Sequence, residues 1–156
     1  MKGNDKVLEV LNQLLSDEMT AINQYMIHSE MCDNWGYEKL HKAFEKNAVD
    51  EMHHAEWLIK RILFLEGTPM VSKLGTIRVG RTVPEMAAND YQGELAAVRA
   101  YNLGIDLARE MDDEGTANLM TEILKMEEGH ADWEEIQQSQ IEQMGLENYL
   151  ATQSEA

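Results

Sequence analysis

Glu51-Met-His-His54-Ala-Glu-Trp57 decides the reading of this chain, because Glu127-Glu-Gly-His130-Ala-Asp-Trp133 repeats its Glu, His, Ala and Trp 76 residues later. The same offset carries Glu18, Ala21 and Tyr25 onto Glu94, Ala97 and Tyr101. Helical periodicity explains a recurring leucine or alanine, but not Glu, His, Tyr and Trp recurring together. The chain reads as one helical hairpin used twice.

Working outward, the two prolines, Pro69 and Pro84, bracket the only long irregular stretch, residues 67–82, in which Gly67, Gly75 and Gly80 act as breakers. Asn34-Trp-Gly36 interrupts the first half and Asp112-Asp-Glu-Gly115 the second. The pattern predicts four helices near 5–34, 37–66, 83–112 and 115–144, with a short fifth helix near 146–152. Short connections make antiparallel neighbours, so helices one and two pair, as do three and four. The loop between the pairs has 16 residues. At roughly 3.3 Å per residue it reaches about 53 Å, longer than the about 42 Å of a 28-residue helix. The fold expected is all-α: a single domain over 1–156, a four-helix bundle whose long crossover joins helices two and three.

Each helix has a core-facing stripe, and polar residues stand in its middle. Helix one shows Leu8, Leu11, Leu15, Ile22 and Tyr25, with Glu18 in the gap; helix two shows Leu40, Phe44, Leu58, Ile62 and Leu65 around Glu51 and His54. Helix three runs Ala87, Tyr91, Val98, Tyr101, Ile105 and Ala108 around Glu94; helix four runs Met120, Ile123 and Ala131 around Glu127 and His130, and weakens beyond residue 131. Central positions of packed helices meet at one level. Four carboxylates and two imidazoles therefore converge in one interior, where unpaired ions cost several kcal/mol each. Two divalent cations would balance the four negative charges. Oxygen ligands with one imidazole per metal suit iron or manganese, and zinc is compatible. Glu-x-x-His puts both side chains on one helix face, and one Glu from each of two helices plus Glu-x-x-His from the other two is a di-iron bundle pattern. A third Glu-x-x-His, Glu38 to His41, has no mate at the 76-residue offset and reads as a solvated helix end.

Composition narrows the function. A hydrophobic content of 44% makes the chain globular. A formal net charge of −16 disfavours nucleic acid and suits a protein that draws in cations. Cys32 is the single cysteine, so no internal disulfide forms, and a reducing compartment is expected. The amphipathic N-terminus lacks the apolar core of a signal peptide, and no stretch approaches the roughly 18 apolar residues of a membrane span, so a cytoplasmic location is expected.

Taken together, these segments resemble the bacterioferritin family. Further matches are Ala21-Ile-Asn-Gln-Tyr25, Asp50-Glu-Met52, Arg61-Ile-Leu-Phe-Leu-Glu-Gly67 and Met144-Gly-Leu-Glu-Asn-Tyr-Leu150. The resemblance implies a shell of 24 subunits, built from two-fold dimers, around a ferric mineral core. It implies two iron ions per subunit, with Glu18 and Glu94 as terminal ligands, Glu51 and Glu127 as bridges and one histidine, His54 or His130, per iron. The implied reaction is oxidation of Fe(II) by dioxygen or peroxide, a ferroxidase activity. It also implies a b-type haem shared between two subunits, with Met52 of each as axial ligand, and a ferredoxin-type electron donor that assists iron release. Tyr25, Asp50 and Trp133 are candidate accessory residues. Lys46 stands where some family members carry a histidine associated with an inner-surface iron site. Two other readings compete: another di-iron enzyme, of rubrerythrin or manganese-catalase type, and a metal-free structural bundle. A Cys-x-x-Cys domain would favour the first, and lysine or arginine at core positions the second; neither is found.

Overall fold

The structure, a computed structural model, describes residues 1–154; residues 155 and 156 of the expected domain lie outside the described residues. Five helices follow in order: α1 (Asp5–Trp35), α2 (Glu38–Phe64), α3 (Val83–Glu110), α4 (Glu114–Met144) and α5 (Leu146–Gln153). The Asn4 side chain starts α1 by accepting the amides of Lys6 and Val7, which offsets two of the four orphan donors of a helix start. Gly36, at φ +83°, ends it: the Gly36 amide donates to Asp33 and the Tyr37 amide to Cys32. Helices α2 and α3 close in the same way, but the left-handed residues are Glu66 (φ 63°) and Asp112 (φ 57°). The expected ends at 66 and 112 therefore overshoot by two residues, because no glycine marks the reversal.

Helix α1 packs chiefly on α2, and α3 on α4, so both hairpins form as the short turns require; α5 lies against α4 and α2. The crossover, residues 65–82, is fastened to α1 by side chains one turn apart. Asn12 exchanges hydrogen bonds with Thr68 and Met70, and the Ser16 hydroxyl donates to the Lys73 carbonyl. Further along, the amides of Gly75, Arg78 and Gly80 donate to Thr20, Gln24 and His28. From residue 12 to 28 this ladder covers about 24 Å of helix. The chain is thus delivered to the far end of α1, and α3 starts there and runs antiparallel to it. A side chain on Gly80 would collide with the backbone of Met86, so the crossover ends at a residue that must be small.

The interior divides into two clusters on either side of the bundle's middle. One end is apolar, with Val7, Leu11, Leu15, Leu58, Ile62, Met120 and Ile123 buried. The other holds Tyr25, Cys32, Leu40, Phe44, Met86 and Tyr149, together with buried polar side chains. The fading apolar stripe of α4 beyond residue 131 has this cause: Glu134 and Gln137 are the side chains turned inward there. On α3, Asp90 is buried in the turn where the sequence suggested Tyr91.

At the apolar end, Arg61 on α2 donates to Asp113 (2.9 Å) and Thr116 (2.9 Å), while Asp113 caps α4 through the Thr116 amide (3.0 Å). Burial alone would raise the Asp113 carboxyl. The bonds from Thr116 and Arg61 outweigh it and hold the group below the usual carboxylate range. Asp113→Ala should cost about 0.5–2 kcal/mol, read as a lower thermal midpoint. Because the folded carboxyl is depressed, the loss should be present at neutral pH and vanish as acid protonates it.

Candidate metal centre

The middle positions of four helices come together as the repeat requires. Glu18, Glu51, His54, Glu94 and Glu127 are at most 3% exposed, and His130 is 6% exposed. They form two groups whose ligand atoms lie within 4.8 Å of one another: Glu18, Glu51, His54 and Glu127, and Glu51, Glu94, Glu127 and His130. Glu51 and Glu127 belong to both. His54 Nδ1 stands 3.1 Å from Glu127, 3.5 Å from Glu18 and 3.5 Å from Glu51. His130 Nδ1 stands 3.1 Å from Glu51, 3.4 Å from Glu94 and 3.6 Å from Glu127. Two carboxylates thus face both imidazoles, and one more faces each imidazole alone.

The surroundings aim these groups. The Tyr101 hydroxyl on α3 donates to Glu18 on α1 (2.6 Å), and the Tyr25 hydroxyl on α1 donates to Glu94 on α3 (2.5 Å). The repeat makes this brace reciprocal. His130 Nε2 lies 2.9 Å from Asp50, which also accepts from Lys46 (3.0 Å). An ionised carboxylate only accepts, so Nε2 carries a proton and the Nδ1 edge faces the carboxylates. Met126 Sδ, 3.2 Å from His54 Nε2, does the same more weakly for the second imidazole.

Each of the six residues has a buried atom with no hydrogen-bond partner, among them Nδ1 of both histidines and Oε1 of Glu51 and Glu127. Orphaned donors and acceptors at this density require an explanation, and a pair of cations supplies it. Burial and the Glu127 charge push Glu94 up to about 8, and burial with three neighbouring carboxylates drives Glu51 well above its ordinary value. Burial works against charging the histidines, but Glu127 and Glu18 around His54, and Glu94 and Glu127 around His130, raise each to about 9. Without metal, the site therefore holds protons at neutral pH.

A cavity of about 490 Å³ lies between α1 and α3 under the crossover. Its walls include Glu18, Glu51, Glu94 and Glu127 at the inner end and exposed Asp17, Gln92 and Arg99 at the outer end.

Other predicted residues fall elsewhere. Trp133 packs edge-on against Phe44, ring centres 5.7 Å apart, while Trp57 sits 5.5 Å from the His54 ring. Met52 is on the outer flank of α2 and 44% exposed. Glu38 pairs with Lys42 (3.6 Å) in solvent as expected, but His41 is held by Ser29 (2.9 Å) and is less solvated than read. The sequence reading missed Asp90 and Glu134, both buried, and the alignment of Asp90 by Gln24 (2.7 Å) and His28 (3.0 Å). Comparing Leu14 with Asp90 and Leu58 with Glu134 at the 76-residue offset would have exposed them.

Fold and site define a class: a four-helix bundle built around two buried Glu/His groups that share two carboxylates and could each hold a metal ion. A family description, "Ferritin-like domain", matches residues 8–144. The chain is 42% identical to a bacterioferritin of Streptomyces coelicolor, covering 97% of this chain and 91% of the relative. It is 43% identical to a bacterial ferritin of Synechocystis sp. (98% and 99% covered), and 40% identical to a bacterioferritin of Mycobacterium leprae (97% and 95%). The chain belongs to the bacterioferritins of the ferritin-like family. Among the described residues, no helix is long and apolar enough to cross a membrane.

Metal removal should make stability depend on pH. Glu94 at about 8 and the two histidines at about 9 hold more protons folded than unfolded. Their contribution is therefore lost as pH rises through those values. The thermal midpoint of metal-free protein should fall between about pH 4.5 and 9, and Zn(II) should raise it and flatten the slope.

Proposed function

We propose that this protein oxidises Fe(II) at the paired site and stores the product as a ferric mineral inside a shell of 24 subunits. The carrying observation is the sharing of Glu51 and Glu127 between two four-residue groups, each with one imidazole. Two substrate ions held by common carboxylates lie close enough to lose electrons together. Four carboxylates stabilise the higher charge of Fe(III) over Fe(II), which favours oxidation. The chain's own part is positional: Tyr101 and Tyr25 fix Glu18 and Glu94, and Asp50 and Met126 fix the imidazole edges. The cavity beneath the crossover admits the ion and the oxidant, dioxygen or peroxide. The acidic surface, at net charge −16, raises cation concentration around the shell. Tyr25, Asp50 and Trp133 are accessory residues in this reading.

Met52 bears on haem. Its side chain is exposed on the outer flank of α2, and Val49 on the same helix and Met26 and Ile27 on α1 are exposed as well. A flank of that kind fits contact with a second copy, and one thioether from each copy fits a b-type haem held between them. Such a haem would supply electron transfer toward stored iron, with a ferredoxin-type donor as partner.

Glu18→Ala should abolish the fast phase of Fe(II) oxidation, followed by stopped-flow absorbance, while the shell still elutes near half a megadalton. Unchanged kinetics would remove the site assignment. Met52→Leu should eliminate the haem Soret band and leave the fast phase intact; a retained band would move the haem ligand elsewhere.

A further inference from the structure

One motif of the sequence is left unused by the metal centre: Glu38-x-x-His41. The structure gives its histidine different partners. Glu38 turns to Lys42 (3.6 Å), while His41 stands with Glu45, one turn further along α2, and with Glu30 near the end of α1. Each of the three offers a ligand atom, and these atoms lie within 4.8 Å of one another. His41 and Glu45 share a helix face as residues i and i+4. The group sits at the turn end of the first hairpin and shares no residue with the metal centre. Ten residues of α2 separate His41 from Glu51, or about 15 Å.

Exposed glutamates on a chain of net charge −16 are no site in themselves. The imidazole sets this group apart. The Ser29 hydroxyl donates to the His41 carbonyl (3.0 Å), so its oxygen is left to accept. The Ser29 carbonyl also only accepts, and the two oxygens lie 2.9 and 3.0 Å from His41 Nδ1. Nδ1 therefore carries the hydrogen, and Nε2 is the free nitrogen. A ring N–H donated to a backbone carbonyl, with the other nitrogen free, is the setting of a metal-bound histidine. Nε2 stands 3.8 Å from Glu45 Oε2, beyond hydrogen-bond distance. The His41 side chain is 16% exposed and that of Glu45 60%. One ligand is thus fixed, and the carboxylates are free to close. Among the described residues, no lysine or arginine pairs with Glu30 or Glu45. Burial opposes a charge on His41, but the Ser29 carbonyl and the charges of Asp33, Glu45 and Glu38 outweigh it and raise the group. The place favours positive charge.

The repeat provides an internal control. At the 76-residue offset, Ser29 corresponds to Ile105, His41 to Ala117 and Glu45 to Thr121. Ile105 and Ala117 are buried in the apolar cluster. A hairpin of this kind therefore packs without the hydroxyl and the imidazole, and packing alone gives no reason for them.

We propose that Glu30, His41 and Glu45 form a cation site separate from the paired centre, taking one first-row divalent ion with water in its remaining positions. Two carboxylates and a neutral imidazole balance the two charges of the ion. One nitrogen with two oxygens suits Zn(II), Co(II) or Fe(II) better than Mg(II) or Ca(II), which take oxygen ligands. Metal bonds of about 2.0–2.2 Å bring ligand atoms roughly 1 Å closer together than here, a movement within reach of two exposed glutamate side chains. Exposure makes this an exchanging site, unlike the enclosed centre. The inference does not rest on the paired-metal reading.

The test uses the intact metal-free protein and Zn(II) in equilibrium dialysis. Wild type should bind about one Zn(II) per subunit more than His41→Ala, alanine being the residue at the repeat-related position. Glu30→Gln and Glu45→Gln, which leave the Ser29 contacts in place, should each weaken that ion at least about tenfold. Crystals soaked in Zn(II), with anomalous data at the zinc edge, should show a peak bonded to His41 Nε2 and to both carboxylates. Equal Zn(II) counts and affinities in all four proteins would overturn the proposal, as would a zinc peak on the carboxylates alone with Nε2 unbound. Failure of the paired-metal reading would lower the count in all four proteins alike and leave their difference intact, so the two failures are distinct.

Discussion

The structure is organised around the cost of putting six ionisable side chains into one dry interior. An unpaired buried ion costs several kcal/mol, and native domains are stable by only about 5–15 kcal/mol. The four carboxylates and two imidazoles at the centre are tolerable as a set because each can share its charge: with protons when metal is absent, with cations when it is present. Under the proposed function, that exchange makes the centre a cation trap whose affinity depends on pH. It also explains why the bracing residues are arranged as they are. Tyr25 occupies one oxygen of Glu94, Tyr101 one oxygen of Glu18, and Asp50 holds the outer nitrogen of His130, so the remaining atoms have only one direction in which to find a partner.

The repeated hairpin gives this arrangement its near-symmetry, and the departures from symmetry give it direction. At one end of the bundle leucine, isoleucine and methionine close the interior, and Arg61 locks α2 to the start of α4. At the other end the related positions carry Asn47, Asp90 and Glu134. The crossover, fastened along α1 from Asn12 to His28, makes the two hairpins meet in this orientation. It also covers the cavity that reaches Glu18 and Glu94.

Much of this was legible in the sequence, for a physical reason. A glutamate in a stripe of leucines is an expensive anomaly, and the same anomaly at a constant spacing in the other half is hard to produce by chance. Glu18, Glu51, His54, Glu94, Glu127 and His130 declared themselves that way. What stayed hidden lacked such a marker. The ends of α2 and α3 use Glu66 and Asp112 in left-handed conformations that glycine usually signals. The crossover ladder is a run of ordinary polar residues, Asn12, Ser16, Thr20, Gln24 and His28, whose four-residue spacing looks like a solvated helix face until a partner strand is known. Glu134 was lost because one helix-periodic glutamate in an acidic segment, Trp133-Glu-Glu135, does not reveal which neighbour turns inward.

The central claim is that Glu51 and Glu127 are held in common by two metal ions. A crystal grown with Co(II), with anomalous data collected on both sides of the cobalt edge, tests it most directly. The account predicts two peaks inside each bundle, one beside His54 and Glu18 and one beside His130 and Glu94, with Glu51 and Glu127 bonded to both. A single peak, or ions bound only at the surface while the six side chains keep their metal-free contacts, would contradict it.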